Sequence, residues 1–183
     1  MTANECFLAC VNALNTLPIP YMVVGSFSSN VYGLPRSTKD ADFVIQCDDK
    51  TITRIAASLG SEFKLDPQMT FETITGTYRY KFYPPHSQFV IEFFVLSNDP
   101  HDQERFSRKV RAEVTGVQAF MPTAEDVIIT KLRWSKSGLR EKDIAEVRGV
   151  ISVQNQSLDI AYIRSWTDKQ GTTELLNKLL PGI

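Results

Sequence analysis

Apolar residues recur at helical spacing at Phe7, Leu8, Val11, Leu14 and Leu17, which predicts a helix over 4–17. Pro18 and Pro20 close it, and the apolar run Tyr21 to Val24 reads as a strand. Gly25-Ser26 then turns the chain into a short helical segment, Phe27 to Tyr32, which Gly33 and Pro35 break. A second strand starts at Asp40 and runs through Phe43-Val44-Ile45. Asp48-Asp49 reads as the cap of a helix over 50–59, with Ile52, Ile55, Ala56 and Leu59 in one stripe. A short strand at 61–65 and a loop at 67–70 follow. Residues 73–83 alternate, with Ile74, Gly76, Tyr78, Tyr80 and Phe82 on one face. Tyr83-Pro84-Pro85-His86 turns that strand into the apolar run 88–96, so the two are expected to form an antiparallel hairpin.

The second half is more helical. A short helix is expected from Asn98-Asp99-Pro100 to about Phe106, then a two-stranded ribbon, 110–115 and 117–121, around Gly116. Pro122-Thr123-Ala124-Glu125-Asp126 is a good helix start, because acids in the first turn complement the helix dipole. A loop is expected at 134–138 and helices over 140–153, 158–170 and 172–180. The pattern predicts an α+β chain with a mixed, mostly antiparallel sheet. Its domains divide as an α/β core over 1–121 and a helical C-terminal region over 122–183 packed on it.

Three acids stand out against this pattern. Asp40 and Asp42 are two apart on a strand, so both carboxylates leave the same face. Their mutual repulsion would be relieved by Mg²⁺, whose oxygen shell takes one or two carboxylates plus water and substrate phosphates. Such a pair alone also reads as two solvated acids at the mouth of a strand. Glu92 lies in the middle of the apolar strand QFVIEFFVL, with Val90 and Phe94 on its face. A carboxylate there needs a cation or hydrogen-bond partner, unless the strand is an edge and the acid faces water.

Other polar residues carry two readings each. Gly25-Ser26 opens a helix whose free N–H groups form a phosphate cradle, or serves as an ordinary cap. Arg36 is a candidate for phosphate or acceptor contact, whereas Lys39 reads as solvated. Lys131 shares a helix face with Val127 and Trp134, so its ammonium either snorkels from the core rim or reaches substrate phosphates. Asp143 borders the apolar face of the following helix, as a site residue, as a partner of Lys131 or an arginine, or both. Arg105, Arg108, Lys109 and Arg111 form the densest basic cluster, which reads first as a solvated face and second as a site for a polynucleotide backbone or triphosphate.

Composition narrows the classes. Twenty basic and 21 acidic residues in 183 leave a net charge of −1, which excludes a general nucleic-acid coat. The three cysteines have no framework spacing, and Cys6 and Cys10 read as core. Two histidines, His86 and His101, argue against a zinc site. The N-terminus lacks a signal-peptide pattern and no apolar run approaches the roughly 20 residues of a membrane span, so a cytoplasmic location is expected.

Gly25-Ser26, thirteen residues, Asp40-Ala41-Asp42 and a later strand with one acid resemble the polymerase-β-type nucleotidyltransferase superfamily. Here the third acid is Glu92 where many relatives carry aspartate, and the residue between the pair is Ala41. PTAEDVIITKLRW and REKDIAEVRGV are similar to the C-terminal helices of small bacterial AbiEii-type nucleotidyltransferase toxins. The resemblance implies a polymerase-β-like core and transfer of a nucleotidyl group from an NTP to an acceptor hydroxyl on RNA, protein or a small molecule. It implies one or two Mg²⁺ ions held by Asp40, Asp42 and Glu92, with Glu92 either a ligand or a general base. Gly25, Ser26, Arg36 and Asp143 would contact the NTP, and Lys131 would add charge as pyrophosphate leaves. A cognate antitoxin is the implied partner. The alternative is a non-catalytic nucleotide-binding or toxin–antitoxin partner-binding protein that keeps the pocket.

Overall fold

The computed structural model describes every residue except Asp49, Ser137, Leu139 and 181–183. Helix α1 (Ala3–Thr16) begins in a capping box, with Thr2 and Glu5 satisfying each other's backbone N–H. Strand β1 (Tyr21–Val24), helix α2 (Gly25–Tyr32) and strand β2 (Asp40–Ile45) follow as the pattern requires. Helix α3 (Thr51–Leu59), strands β3 (Lys64–Leu65), β4 (Thr70–Glu72), β5 (Thr77–Tyr83) and β6 (Val90–Val95) complete the sheet. Helix α4 (Pro100–Ser107) and the ribbon β7 (Val110–Val114) and β8 (Val117–Met121) precede α5 (Ala124–Lys136), α6 (Glu141–Gln154), α7 (Ile160–Gln170) and α8 (Thr173–Leu179).

The sheet order is β1-β2-β6-β5-β3, with β4 also on β5. Among the described residues only β2 and β6 run parallel, and every other pairing in this sheet is antiparallel. The expected α+β class and mostly antiparallel sheet are therefore observed. One face of the sheet carries Ala41, Phe43, Phe82, Ile91 and Phe93, all at 0% exposure, beneath α1, α3 and the ribbon. Phe43 stacks on Phe93 at 5.2 Å between ring centroids, and Phe7 on Phe27 at 4.2 Å. Strand alternation turns Asp40, Asp42 and Glu92 to the other face. A second apolar cluster joins α5, α6, α7 and α8 through Ile128, Leu132, Val147, Val150, Ile163 and Leu176.

Several local expectations change. The strand expected over 73–83 starts only at Thr77, because 73–76 form the turn of a β4–β5 hairpin, where the Glu72 carboxylate accepts from the backbone N–H groups of Ile74 and Thr75. The loop expected at 67–70 consequently ends inside β4, and the strand at 61–65 shrinks to β3. The loop expected from Trp134 starts later, since α5 continues to Lys136. Asp48 does not cap α3, whose N-cap position is Lys50 with no side-chain cap; its carboxylate instead accepts from Lys50 N–H at 2.9 Å and the Thr51 hydroxyl at 2.7 Å in the preceding turn, and the part given to Asp49 lies outside the described residues. The basic cluster is a solvated face only in part: Arg111 is exposed and Arg108 and Lys109 are half-buried. Arg105 is buried on Asp102 at 2.8 Å, Arg108 stacks on Tyr162, Lys109 covers Phe106 and Arg111 packs on Phe120. Among the described residues no helix is long and apolar enough to cross a membrane.

A buried polar knot ties α4 to α5 and α7. Asp126, at 0% exposure, faces His101 Nε2 at 3.2 Å and accepts from the hydroxyls of Tyr162 at 2.8 Å and Thr123 at 3.0 Å. Burial pushes the Asp126 carboxyl up, but hydrogen bonds from His101 and Tyr162 and the charge of His101 outweigh it and hold it below the ordinary 3.8. A depressed carboxyl contributes stability above its unfolded value and loses it as pH falls through its folded value. Asp126→Asn should therefore cost about 3–5 kcal/mol at pH 7 in urea unfolding. That difference should narrow below about pH 4; an equal cost at pH 3 and pH 7 would show that packing, not charge, holds the knot.

Candidate active site

The site starts at the β1–α2 junction. Gly25 sits at φ +64°, and a Cβ there would lie 1.9 Å from Asp42 Oδ2. Only glycine lets the backbone pass so close to that carboxylate. The β1–β2 register sets Val24 opposite Asp42, which brings the turn against the acid. Helix α2 has no side-chain cap, so its first-turn N–H groups open beside Asp42.

The acids are brought onto one face by the parallel pair. Asp42 lies opposite Glu92 and Asp40 opposite Val90. Burial, then the charges of Asp40 and Glu92, push the Asp42 carboxyl up to about 7, only partly offset by Lys131 and Lys142. Asp40 accepts from the Thr38 hydroxyl. Glu92 is already compensated: Arg79 Nη1 stands 3.0 Å from Oε2 and Lys81 Nζ 3.4 Å from Oε1. Among the described residues no three His, Cys, Asp or Glu side chains converge closely enough to hold a metal ion. The donor set that fits a hard divalent cation is thus the Asp40–Asp42 pair, short of an octahedral shell and suited to one completed by water and phosphate oxygens.

The opposite wall is cationic. Lys131 Nζ bridges Asp143 at 3.0 Å and Glu146 at 2.7 Å, and Arg140 reaches Asp143 at 3.1 Å. Of the readings of Asp143 left open by the sequence, the pairing with Lys131 and a neighbouring arginine is the one observed. Ser26 accepts from Arg36 Nη2 at 2.6 Å, and Arg36 also pairs with Glu146. Gly25, Ser26, Asp40, Asp42, Glu92, Lys131 and Asp143 all line one cleft of about 270 Å³. Arg36 does not line it, and reaches it only through Ser26.

Besides Arg79 and Lys81 on Glu92, two residues of α6 escaped the sequence reading. Glu146, 7% exposed, binds Lys131, Arg36 and Ser29. Burial pushes its carboxyl up, but the Lys131 charge and these hydrogen bonds hold it below the usual range. It lies beside Ser29 because α2 and α6 nearly touch: a Cβ on Gly33 would be 2.8 Å from Val150 N. An acid beside the apolar positions Val147 and Val150 was the available signal, the same one that singled out Glu92. Lys142 lines the cleft with an exposed ammonium, one residue from the Asp143 that drew attention.

No sequence-family model and no curated protein matches the chain. Solved structures do. The antibiotic-resistance factor ANT(2'')-Ia, in its complex with adenylyl-2''-tobramycin, aligns with a TM-score of 0.64 at 10% identity, over 95% of this chain and 99% of that one. The lincomycin-bound lincosamide antibiotic adenylyltransferase LnuA aligns with a TM-score of 0.57 at 12% identity, over 84% and 98%. An antigenic nucleotidyltransferase-like protein from Paracoccidioides brasiliensis gives 0.53 at 19% identity, over 98% and 94%. The chain has the nucleotidyltransferase fold these proteins share. The likeness to AbiEii-type toxins rests on sequence motifs alone.

Repulsion among the three acids is a cost carried by the metal-free protein. Asp42→Asn should raise the melting temperature in EDTA at pH 8 by about 2–4 °C, as expected for roughly 1 kcal/mol in a chain of this size. A lower melting temperature in EDTA would mean that the Asp42 carboxylate is a structural hydrogen-bond acceptor instead.

Proposed function

We propose that the chain is a Mg²⁺-dependent nucleotidyltransferase that moves NMP from an NTP to an acceptor hydroxyl. The observation that carries this reading is the Gly25 turn pressed against Asp42, which sets uncapped helix N–H groups beside an uncompensated carboxylate pair. Phosphates and a divalent cation satisfy both halves of that arrangement.

The assignment divides the cleft by charge. Asp40 and Asp42 would hold Mg²⁺, with Glu92 a further ligand only if it leaves Arg79 and Lys81. Bound there, the cation supplies neutralisation of the phosphate oxygens and of the leaving group. The α2 N-terminus, with Gly25 and Ser26, cradles the β- and γ-phosphates. Lys131, steadied by Asp143 and Glu146, faces the charge that builds on departing pyrophosphate. Arg36 acts on the phosphate side through Ser26. The acceptor oxygen bonds to the α-phosphorus and the bridging P–O bond to the β-phosphate breaks. Pyrophosphate takes the electron pair, and the hydroxyl proton passes to Glu92 as general base and on to solvent. In this reading residues 1–121 form the catalytic core and residues 122–183 a helical region that closes the cleft. The cytoplasm, where NTP is abundant, is its place of action. An antitoxin partner has only the motif run behind it.

The test is transfer of label from α-phosphate-labelled NTPs with Mg²⁺, for wild type and Asp40→Asn. Label should move to an acceptor only with the wild type. Thermal stabilisation by Mg-NTP without transfer would favour a nucleotide-binding module, and neither effect would overturn the reading of the site.

A further inference from the structure

The charges around the cleft also describe the acceptor, given the nucleotidyl-transfer reading on which this step rests. A polycationic acceptor needs free carboxylates for its amino groups. Outside the Asp40–Asp42 pair the cleft offers none: Glu92 is bound by Arg79 and Lys81, Asp102 by Arg105, and Asp143 by Lys131 and Arg140. The balance instead runs to the positive. On the β5–β6 wall, two cations flank the single carboxylate of Glu92, leaving one positive charge in that trio.

Of the two cations in the trio, Arg79 is the one that lines the cleft, beside Glu92. Its Nε donates to Thr70 at 3.1 Å, its Nη1 to Glu92 at 3.0 Å, and its guanidinium lies 5.7 Å from the Phe94 ring centroid. Three contacts therefore fix the plane of the fork, while Nη2 has no partner among these contacts. Lys81, directly opposite Glu92 in the β5–β6 register, supplies the second counter-charge that leaves Arg79 in excess. The wall beside it is small and hydroxylated or apolar, with Thr75, Thr77, Phe94 and Val95.

A polynucleotide acceptor fits less well. In the basic cluster at 105–111, Arg105, which lines the cleft, is neutralised by Asp102 and Arg108 pairs with Asp126, while Lys109 and Arg111 lie outside the cleft lining, so the cluster lays no continuous cationic track from the cleft for a phosphate backbone.

We propose that Arg79, held in place by Glu92, is the acceptor anchor, and that the acceptor is a small hydroxyl compound bearing a carboxylate or phosphate. The anionic group pairs with the free edge of the Arg79 fork, which turns the hydroxyl toward the α-phosphorus above Asp40 and Asp42. Glu92 thus positions the anchor by holding one side of the Arg79 fork.

Four acceptor pools test this with α-phosphate-labelled NTP and Mg²⁺: hydroxy acids with sugar and nucleoside phosphates, neutral polyols, tobramycin with lincomycin, and total RNA. Melting temperature with Mg-NTP is read in parallel. Label should enter the anionic pool alone. Arg79→Gln should raise the acceptor KM about tenfold or more, the loss of one charge-assisted bond, and leave the Mg-NTP stabilisation unchanged. Arg79→Lys, which keeps the charge but not the fork, should fall between. Label in the polyol, antibiotic or RNA pool, or no label in the anionic pool despite Mg-NTP stabilisation, would overturn the anionic acceptor and leave nucleotide binding standing. A change confined to NTP KM in Arg79→Gln would move Arg79 to the donor side and overturn the anchor. Absence of any Mg-NTP stabilisation in the wild type would instead strike the parent reading.

Discussion

Parallel pairing of β2 with β6 is the constraint on which the rest of the molecule depends. It is the one parallel contact in an otherwise antiparallel sheet, and it lays Asp42 opposite Glu92. Register then dictates burial. A shift by one residue would turn Phe43 and Phe93 out of the core and send the acids into it. The stacked rings of Phe43 and Phe93 and the acid face are thus two consequences of one alignment. The core holds the carboxylates together against their repulsion, and the raised Asp42 carboxyl records that opposition.

Around this pair the protein distributes counter-charge unevenly. Glu92, Asp102, Asp143 and Glu146 each have basic partners within the fold. Asp40 and Asp42 do not share in that arrangement: Asp40 has a threonine hydroxyl, and Asp42 has only the distant influence of Lys131 and Lys142. An acid left short of compensation where its neighbours are satisfied marks where a cation brings the most stabilisation. The same uneven distribution separates the walls, with the Lys131–Glu146–Arg36 network on the α2 side and the Arg79–Glu92–Lys81 trio on the β5 side.

Much of this was legible in the chain, for identifiable reasons. The β1–α2–β2 unit was readable because Gly25, Pro35 and the alternating acids punctuate it, and the long apolar run around Glu92 favoured an inner strand over an edge, which the pairing of β6 with both β2 and β5 bears out. The sequence also supplied both partners of the Lys131–Asp143 pair, since each borders an apolar helix face. What it hid were effects of tertiary neighbours. Nothing local announces that Glu72 would fold its own carboxylate onto Ile74 and Thr75 and make a turn of the residues before Thr77. The basic cluster looked solvated because Tyr162 and Phe120, which Arg108 and Arg111 lie against, come from other elements, and because the pairing of Arg105 with Asp102 one helical turn earlier depends on the burial of both. Arg79 went unnoticed for the same reason: it sits in an ordinary alternating strand, and only cross-strand pairing places it on Glu92.

Glu92 shows how far a correct residue can differ from its expected part. The sequence argument asked for a cation to offset a carboxylate in an apolar strand, and a metal was the cation in view. The fold supplies two side-chain cations instead. Each satisfies the same electrostatic requirement, so the burial argument alone could never choose between them. Side chain length does bear on the choice. The glutamate arm is one methylene longer than the aspartates that face it, which carries its carboxylate outward along the face toward β5 and its two bases. The third acid is thereby tied to the wall where a second substrate would lie, while the shorter aspartates remain at the Gly25 turn.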